Sequence, residues 1–288
     1  MRGSMGWLRA ALCVLALGCG FSTWGQAEEE AFFFLQMSDP QFGMYTKNGD
    51  FQQETANFEF AIATANRLRP RFVIVCGDLV NQAGDTAQIA EYRRISAKLD
   101  KSIRMYHVAG NHDVGNQPTP ASIAAWKKLF GPDHYSFREG GLYGIVLNSS
   151  LIHSPQDAPM EYEEQRDWLA AELGKARSSG AVHTVIFQHH PWFLGAADEA
   201  DQYFNIPRAR RNPLLETFRQ SGVRYLFSGH YHRNAVAKDG ELEAITTGPV
   251  GMPLGDARSG VRLVRVGKES ITHEYVEFGS LPNRVSAP

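Results

Sequence analysis

Five short polar clusters occur in a fixed order along this chain, each directly after an apolar, strand-like run. They are Asp-Pro-Gln (39–41), Gly-Asp-Leu-Val-Asn (77–81), Gly-Asn-His-Asp (110–113), His-His-Pro (189–191) and Gly-His-Tyr-His (229–232). In open α/β sheets, side chains that follow the carboxyl ends of strands gather at one edge of the sheet. The order of the clusters therefore favours a fold that brings all five to a common site.

The segments between the clusters predict how the sheet is built. The first half alternates strands and helices, with strands at 31–38, 72–76 and 103–108 and helices at 51–69 and 86–99. This β-α-β-α-β order favours parallel strands with right-handed crossovers. The middle is predicted to have strands at 142–148, 183–188 and 223–228 and helices at 162–177 and 212–220. Short strands without helices between them are predicted at 234–238, 241–247, 261–266 and 270–278, so we expect an antiparallel second half.

The first 27 residues have the features of a signal peptide. Two arginines flank its start, the apolar stretch at 10–17 is too short to span a bilayer, and Gly-Gln-Ala (25–27) resembles a cleavage site. We therefore expect an exported protein, periplasmic or secreted, whose mature chain is a single domain at 28–288 without a transmembrane span. An uncleaved anchor and a lipid attached at Cys19 are the alternatives.

Charge and cysteine content narrow the function further. The formal net charge of −2 gives no indication of nucleic-acid binding through bulk electrostatics. After removal of the first 27 residues, Cys76 is the one cysteine left, and on an apolar strand it is expected to be a buried apolar residue. The expected site therefore uses imidazole and oxygen ligands without thiolate, which favours Mn, Fe or Zn ions.

Taken together, the five clusters resemble the pattern of the calcineurin-like metallophosphoesterase superfamily. That pattern is an Asp-x-His start, Gly-Asp-x-x-Asp/Asn, Gly-Asn-His-Asp/Glu, a histidine after a strand, and Gly-His-x-His. Asp-Pro-Gln-Phe-Gly (39–43), Tyr-Phe-Asn (203–205) and Phe-Ser-Gly-His-Tyr-His-Arg-Asn (227–234) resemble a branch whose eukaryotic members are described as serine/threonine phosphatases. The resemblance implies an α/β fold, a four-layer α/β/β/α sandwich of two mixed sheets.

The resemblance also implies a site with two divalent or trivalent metal ions and one shared carboxylate. The first ion would be held by Asp39, Gln41, Asp78 and His232. The second would be held by Asp78, Asn111, His189 and His230. His112 would be catalytic rather than a ligand, either protonating the leaving alkoxide or stabilising charge on the phosphoryl oxygens.

The chain departs from the family pattern at two places. Gln41 stands where many relatives have histidine, and its amide oxygen is a neutral, harder ligand, so this metal is expected to be held more loosely or to be Mn²⁺ or Mg²⁺. Asn81 and Gln82 stand where the serine/threonine phosphatase group has Asp-Arg. Asn81 is expected to orient His112 through a hydrogen bond.

Two further residues are predicted to contact the substrate. Asn148 ends a strand at the expected active edge, and Trp192 follows the histidine cluster, where it would form a wall of the cleft; core packing is the alternative for Trp192.

The sequence thus predicts a metal-dependent phosphoric ester hydrolase. It would cleave a phosphate monoester, in a small molecule or a phosphoprotein, with a metal-bound hydroxide as the nucleophile. A phosphodiesterase acting on nucleotides or glycerophosphodiesters would share the ligand set. The alternative that is not an enzyme is a scaffold protein that binds metal without catalysis.

Overall fold

The computed structural model describes Met1, Gly3 and residues 31–288. Apart from Met1 and Gly3, the predicted signal peptide, including Cys19, lies outside the described residues. Within those residues, no helix combines the length and the apolar character needed to cross a membrane.

The strands and helices of residues 31–288 alternate through most of the chain. The strands are β1 (Phe32–Met37), β2 (Phe72–Cys76), β3 (Arg104–Val108), β4 (Tyr135–Glu139), β5 (Leu142–Val146), β6 (His183–Phe187), β7 (Val223–Ser228), β8 (Ala235–Asp239), β9 (Leu242–Thr246), β10 (Gly260–Val266) and β11 (Ile271–Glu277). The helices are α1 (Gln52–Leu68), α2 (Thr86–Ser96), α3 (Asn111–Val114), α4 (Pro120–Phe130), α5 (Ser149–His153), α6 (Pro159–Ser178) and α7 (Arg208–Gln220), with a 3₁₀ helix at Phe278–Ser280.

Two mixed sheets form the centre of the fold. The first has the strand order β11-β10-β1-β2-β3, in which β1, β2 and β3 are parallel and β10 runs antiparallel to β1. The second has the order β4-β5-β6-β7-β9-β8, with β5, β6, β7 and β9 parallel and antiparallel strands at both edges. The predicted architecture of two mixed sheets flanked by helices is confirmed.

Apolar clusters hold the layers together. Between the sheets, Phe34 stacks on Phe72 with ring centroids 4.5 Å apart and meets Phe187 and Phe227 edge-on at 5.8 Å. A second cluster joins α1 and α2 to the outer face of the first sheet. A third joins α6 and α7 to the outer face of the second sheet. Each buried aromatic or aliphatic side chain contributes about 1.5–3 kcal/mol to the stability of the folded state. The clusters therefore hold the strands, and the residues at their ends, in fixed positions.

The predicted antiparallel second half is correct for β10 and β11 but wrong for β9. Strand β9 pairs with β7 in parallel, because the chain leaves β7, forms the edge strand β8 and then returns as β9 between β7 and β8. The segment that leaves β7 is Gly-His-Tyr-His (229–232), so this crossover carries two predicted ligands over the end of the sheet. Helices α3, α4 and α5 and strand β4 are additional to the prediction.

Candidate metal centre

Six of the seven predicted ligands lie in loops at the carboxyl ends of strands, and Asn111 is the first residue of α3, which follows such a loop. Asp39 and Gln41 follow β1, Asp78 follows β2 and Asn111 follows β3, all in the first sheet. The histidines His189, His230 and His232 follow β6 and β7 of the second sheet. All seven side chains are buried. The site therefore lies where the edges of the two sheets meet.

Two groups of possible ligand atoms share one residue. The ligand atoms of Asp78, His189 and His230 lie within 4.8 Å of one another, and the same holds for Asp39, Asp78 and His232. Asp78 belongs to both groups, as the sequence predicts for a shared carboxylate. A carboxylate with two oxygens and one negative charge offsets the repulsion between two neighbouring cations.

Distances within the site join the two sheets. His189 Nε2 lies 3.2 Å from Asp78 Oδ2 and 2.9 Å from Asn111 Oδ1. His232 Nε2 lies 3.4 Å from Asp39 Oδ1. The backbone N of Gln41 donates to the carbonyl oxygen of Asp78 at 2.9 Å. Residues separated by up to about two hundred positions thus meet in a single cage of imidazole, carboxylate and amide groups.

The backbone is left-handed at five of the seven predicted ligands. Their φ angles are 50° at Asp39, 41° at Gln41, 50° at Asp78, 66° at His230 and 53° at His232. Residues other than glycine seldom adopt this conformation, which costs on the order of 1–3 kcal/mol each and concentrates at functional sites. The conformation turns each side chain out of its strand and towards the shared cage.

Two glycines of the polar clusters make room for the ligands. A Cβ atom at Gly110 would overlap the backbone N and Oδ1 of Asp78. A Cβ atom at Gly229 would overlap Ser38 Oγ and lie 2.7 Å from Asp39 Oδ2. The glycines that precede Asn111 and His230 are therefore required by the close approach of a carboxylate, that of Asp78 after the adjacent strand β2 and that of Asp39 from the other sheet.

Each ligand histidine uses one ring nitrogen in a hydrogen bond to a backbone carbonyl. His189 Nδ1 lies 2.8 Å from Cys76 O, His230 Nε2 lies 3.3 Å from Tyr203 O, and His232 Nδ1 lies 2.5 Å from Met252 O. Donation to a carbonyl fixes the tautomer and leaves the other nitrogen as a lone pair. All three rings are thus prepared to bind a cation.

The two amide ligands are oriented in the same way. Gln41 Nε2 donates to Asn81 Oδ1 at 3.1 Å, and its buried Oε1 has no hydrogen-bond partner among the described residues. Asn111 Nδ2 donates to Asn116 Oδ1 at 3.0 Å, which leaves its Oδ1 beside His189. An unsatisfied buried acceptor costs about 1–3 kcal/mol, and a cation would satisfy it. The residues present therefore fit a pair of metal ions.

The contact between Gln41 and Asn81 leads to a prediction about metal affinity. Asn81→Ala removes the acceptor that holds the Gln41 amide, so we expect about 10–100-fold weaker binding of one of the two metal ions. Asn81→Asp keeps an oxygen for Gln41, loses the donor to Asn48 and adds a negative charge near the cations, so we expect it to bind metal at least as tightly as wild type. Titration of the metal-free protein with Mn²⁺, followed by calorimetry, measures both. Equal affinities in Asn81→Ala and wild type would contradict the role of Asn81.

The charges of the site favour the ionised form of Asp78. Burial alone would lower the pKa of His189, but Asp78 and Asp39 raise it to about 9. Burial also opposes ionisation of Asp78, yet the neighbouring His189 holds the pKa of Asp78 well below its usual range. Burial and the charge of His189 lower the pKa of His230 to about 3. Binding of a cation by His189 would therefore release a proton from the ring.

His112 lies beside the cage without joining either ligand group. Its Nδ1 lies 2.7 Å from the carbonyl oxygen of Asn81, and its backbone N donates to Asp78 Oδ1 at 2.8 Å. The hydrogen bond expected between Asn81 and His112 is therefore present, but the backbone carbonyl of Asn81 accepts it. The Asn81 side chain instead holds Gln41 and donates to Asn48 Oδ1 at 2.7 Å. The ring is half-buried, with Nε2 as its remaining nitrogen.

Asp113 and Tyr203 support the site without having been assigned a role from sequence. The Asp113 carboxylate accepts hydrogen bonds from the backbone N of Leu79 and of Gly110, which ties the second and third clusters together. Burial and the charge of Asp78 raise the pKa of Asp113 to about 8. Partial burial and the charge of Asp78 also raise the pKa of Tyr203, whose hydroxyl faces Asn111. The sequence did indicate Asp113, because it is the last residue of the polar cluster Gly-Asn-His-Asp (110–113).

Asn148 and Trp192, the two residues predicted to contact the substrate, lie outside the metal centre. Asn148 is buried and donates to Asp133 Oδ2 at 3.0 Å, while its Oδ1 caps α5. Trp192 is also buried, and its ring packs edge-on against Phe218 with centroids 5.2 Å apart, so the core alternative describes it. Burial leaves neither side chain a surface for a substrate, and neither enters the proposed site.

Comparisons with known proteins agree with this geometry. Residues 34–234 match the family model described as calcineurin-like phosphoesterase. Serine/threonine-protein phosphatase CPPED1 of Bos taurus is 36% identical over 268 residues, which cover 88% of this chain and 86% of that protein.

Solved structures resemble the fold at lower sequence identity. A dimetal phosphatase from Danio rerio aligns with a TM-score of 0.63 and 16% identity, over 85% of this chain and 97% of that one. GAP50, described as the anchor in the inner membrane complex of Plasmodium, aligns with a TM-score of 0.66 and 14% identity, over 86% and 85%. At these identities, the two structures show that the fold is shared.

Proposed function

This chain belongs to the calcineurin-like phosphoesterase family, and we propose that it is a phosphatase that hydrolyses phosphate monoesters at the site around Asp78. The observation that carries the proposal is the position of Asp78 in both groups of possible ligand atoms. Asp39, Gln41 and His232 would hold one cation with it, and Asn111, His189 and His230 the other. The ligand types are compatible with Mn, Fe or Zn ions.

The protein residues have separable tasks in this reaction. When bound, the two cations supply charge that neutralises the phosphoryl oxygens and make a water molecule more acidic. Backbone carbonyls hold the histidine rings, and Asn81 and Asn116 hold the amides, so the ligand geometry exists before substrate arrives. His112 Nε2 is placed to give a proton, or a hydrogen bond, to an oxygen of the reacting ester.

A phosphoprotein is the proposed physiological substrate class. Its support is the printed name of the bovine relative, a serine/threonine-protein phosphatase that this chain matches over most of its length. A phosphorylated small molecule would use the same ligand set. Release of phosphate from phosphoserine and phosphothreonine peptides, compared with sugar phosphates, tests this part of the proposal.

We expect the metal-loaded protein to prefer a monoester to a diester by at least about tenfold in kcat/KM. The reason is that two cations with Asp78 between them provide charge for a dianionic phosphoryl group, whereas a diester carries one negative charge. Paired assays with p-nitrophenyl phosphate and bis-p-nitrophenyl phosphate after addition of Mn²⁺ measure this ratio. Faster cleavage of the bis-ester would identify a phosphodiesterase, and absence of both activities with metal bound would favour a scaffold.

We also propose that the mature protein is exported. The arginine-flanked apolar stretch and Gly-Gln-Ala (25–27) support cleavage after Ala27. Amino-terminal sequencing of the protein from its native cells tests this, with Glu28 as the expected first residue.

A further inference from the structure

The loop between β6 and α7 passes over the ligand histidines. The carbonyl oxygen of Tyr203 accepts the hydrogen bond from His230 Nε2 at 3.3 Å, and the Tyr203 ring lies 5.0 Å from the His230 ring between centroids. The side chain is 57% exposed, while its hydroxyl faces the side chain of Asn111. Tyr203 thus contacts the ligands of one proposed cation and also faces solvent.

Polar contacts within the loop and with α7 hold it in place. The Glu199 carboxylate accepts hydrogen bonds from Leu194 N at 2.9 Å, Gly195 N at 2.8 Å and Asn205 Nδ2 at 2.7 Å. The buried Arg211 side chain donates to the carbonyls of Trp192 and Glu199 from the other side. A loop with this many internal bonds presents Tyr203 in a defined position, as an effective binding group requires.

Each proposed histidine and amide ligand already directs an N–H group to a protein oxygen. The ring N–H groups of His189, His230 and His232 are directed to carbonyl oxygens, and the amide N–H groups of Gln41 and Asn111 are directed to neighbouring asparagines. Phosphoryl oxygens nevertheless need hydrogen-bond donors besides cations, because charge increases on them during transfer. The exposed phenol of Tyr203 is a donor at the solvent-facing side of the same ligands.

We propose that the Tyr203 hydroxyl donates a hydrogen bond to a phosphoryl oxygen of the bound substrate, and this inference rests on the proposed phosphatase function. Tyr203 is then a catalytic residue that contacts substrate. The backbone contact with His230 does not depend on its side chain, so the ring and the hydroxyl can be separated by substitution.

Tyr203→Phe removes the hydroxyl and keeps the ring on His230. We expect about tenfold weaker binding of tungstate, a tetrahedral oxyanion, to the Mn²⁺-loaded protein, as for loss of one hydrogen bond to a charged group. We expect a similar fall in kcat/KM for p-nitrophenyl phosphate, with unchanged metal content. Calorimetry, steady-state kinetics and elemental analysis provide the three measurements.

Tyr231→Phe is the matched control. The Tyr231 ring lies 5.0 Å from that of Phe204, which lies 5.2 Å from the Tyr203 ring. Among the described residues, the Tyr231 side chain makes no ring contact or hydrogen bond with Asn111 or His230. Wild-type tungstate binding by Tyr203→Phe would overturn the inference alone, as would an equal loss in Tyr231→Phe or a loss of metal in Tyr203→Phe. A metal-loaded wild type that neither binds tungstate nor hydrolyses phosphate esters would overturn the proposed function as well.

Discussion

Asp78→Asn is expected to abolish metal binding and hydrolysis together. Asparagine has nearly the same shape and can still accept the hydrogen bond from the backbone N of His112. It lacks the negative charge that two neighbouring cations would share, and one fewer anion leaves mutual repulsion of the cations uncompensated. We expect a loss of kcat/KM on the order of 10⁴-fold, about 5 kcal/mol of transition-state stabilisation. Elemental analysis of the purified variant and p-nitrophenyl phosphate assays measure the two effects.

Asp133→Asn is the control for removal of a buried carboxylate. Asp133 is as buried as Asp78, but its partners are Lys127 at 3.1 Å, His134 at 3.2 Å and Asn148 at 3.0 Å, outside the metal centre. This variant is expected to keep wild-type metal content and turnover, even if its thermal stability falls. Asp78→Asn protein that retained two metal ions per chain would contradict the shared position of Asp78. Thermal melting of both variants separates loss of metal from loss of fold.

The position of the site could be predicted because ligand-type residues follow apolar strands. Asp39, Asp78 and Asn111 come directly after β1, β2 and β3, and the parallel order of these strands places their ends together. His189 and His230 follow strands of the second sheet in the same way. The alternation of strands and helices in the first half carried this information without any knowledge of the packing.

The orientation of the ligands could not be predicted from the same pattern. Asp39, Gln41 and His232 have left-handed backbones, and although Asp and His adopt this conformation more often than most residues, residue type alone does not indicate at which positions they do so. Nor does the sequence indicate that the Asn81 side chain holds Gln41 while its carbonyl holds His112, since both contacts depend on how two loops meet. Nor does the sequence decide whether Trp192, which follows the histidines, forms a wall of the cleft or packs in the core; the loop turns it into the core.

Some missed elements had signals in the sequence. Helix α4 begins with Pro120 after Thr119, whose hydroxyl accepts from the backbone N of Ser122, a capping pattern that sequence alone can indicate. Helix α7 begins at Arg208, four residues before the predicted start, because the Asp201 carboxylate accepts from the backbone N of Arg208 at 2.7 Å. The cap of α4 is local, so the sequence could have indicated this helix, whereas the hydrogen bond at the start of α7 spans seven residues, so only the later part of α7 was predicted.

His112→Ala is expected to lower kcat by about 10²–10⁴-fold while both metal ions stay bound. The imidazole is outside both groups of possible ligand atoms, and its Nδ1 is committed to the Asn81 carbonyl. The leaving group decides which role the ring has. A proton donor matters more for an alkyl phosphate than for p-nitrophenyl phosphate, whose leaving group needs no proton, whereas a charge stabiliser matters equally for both. Comparing the loss of kcat for the two esters therefore distinguishes these roles.

His134→Ala is the matched control for removal of an imidazole. His134 lies 3.2 Å from Asp133 and packs against Trp168 with ring centroids 4.8 Å apart, so its loss should leave turnover and metal content unchanged. Full activity in His112→Ala would show that the catalytic assignment is wrong. Loss of metal in His112→Ala would instead make the His112 ring a support of the cage, acting through its contact with the Asn81 carbonyl. Alanine retains the backbone N–H that donates to Asp78, so this variant tests the ring alone.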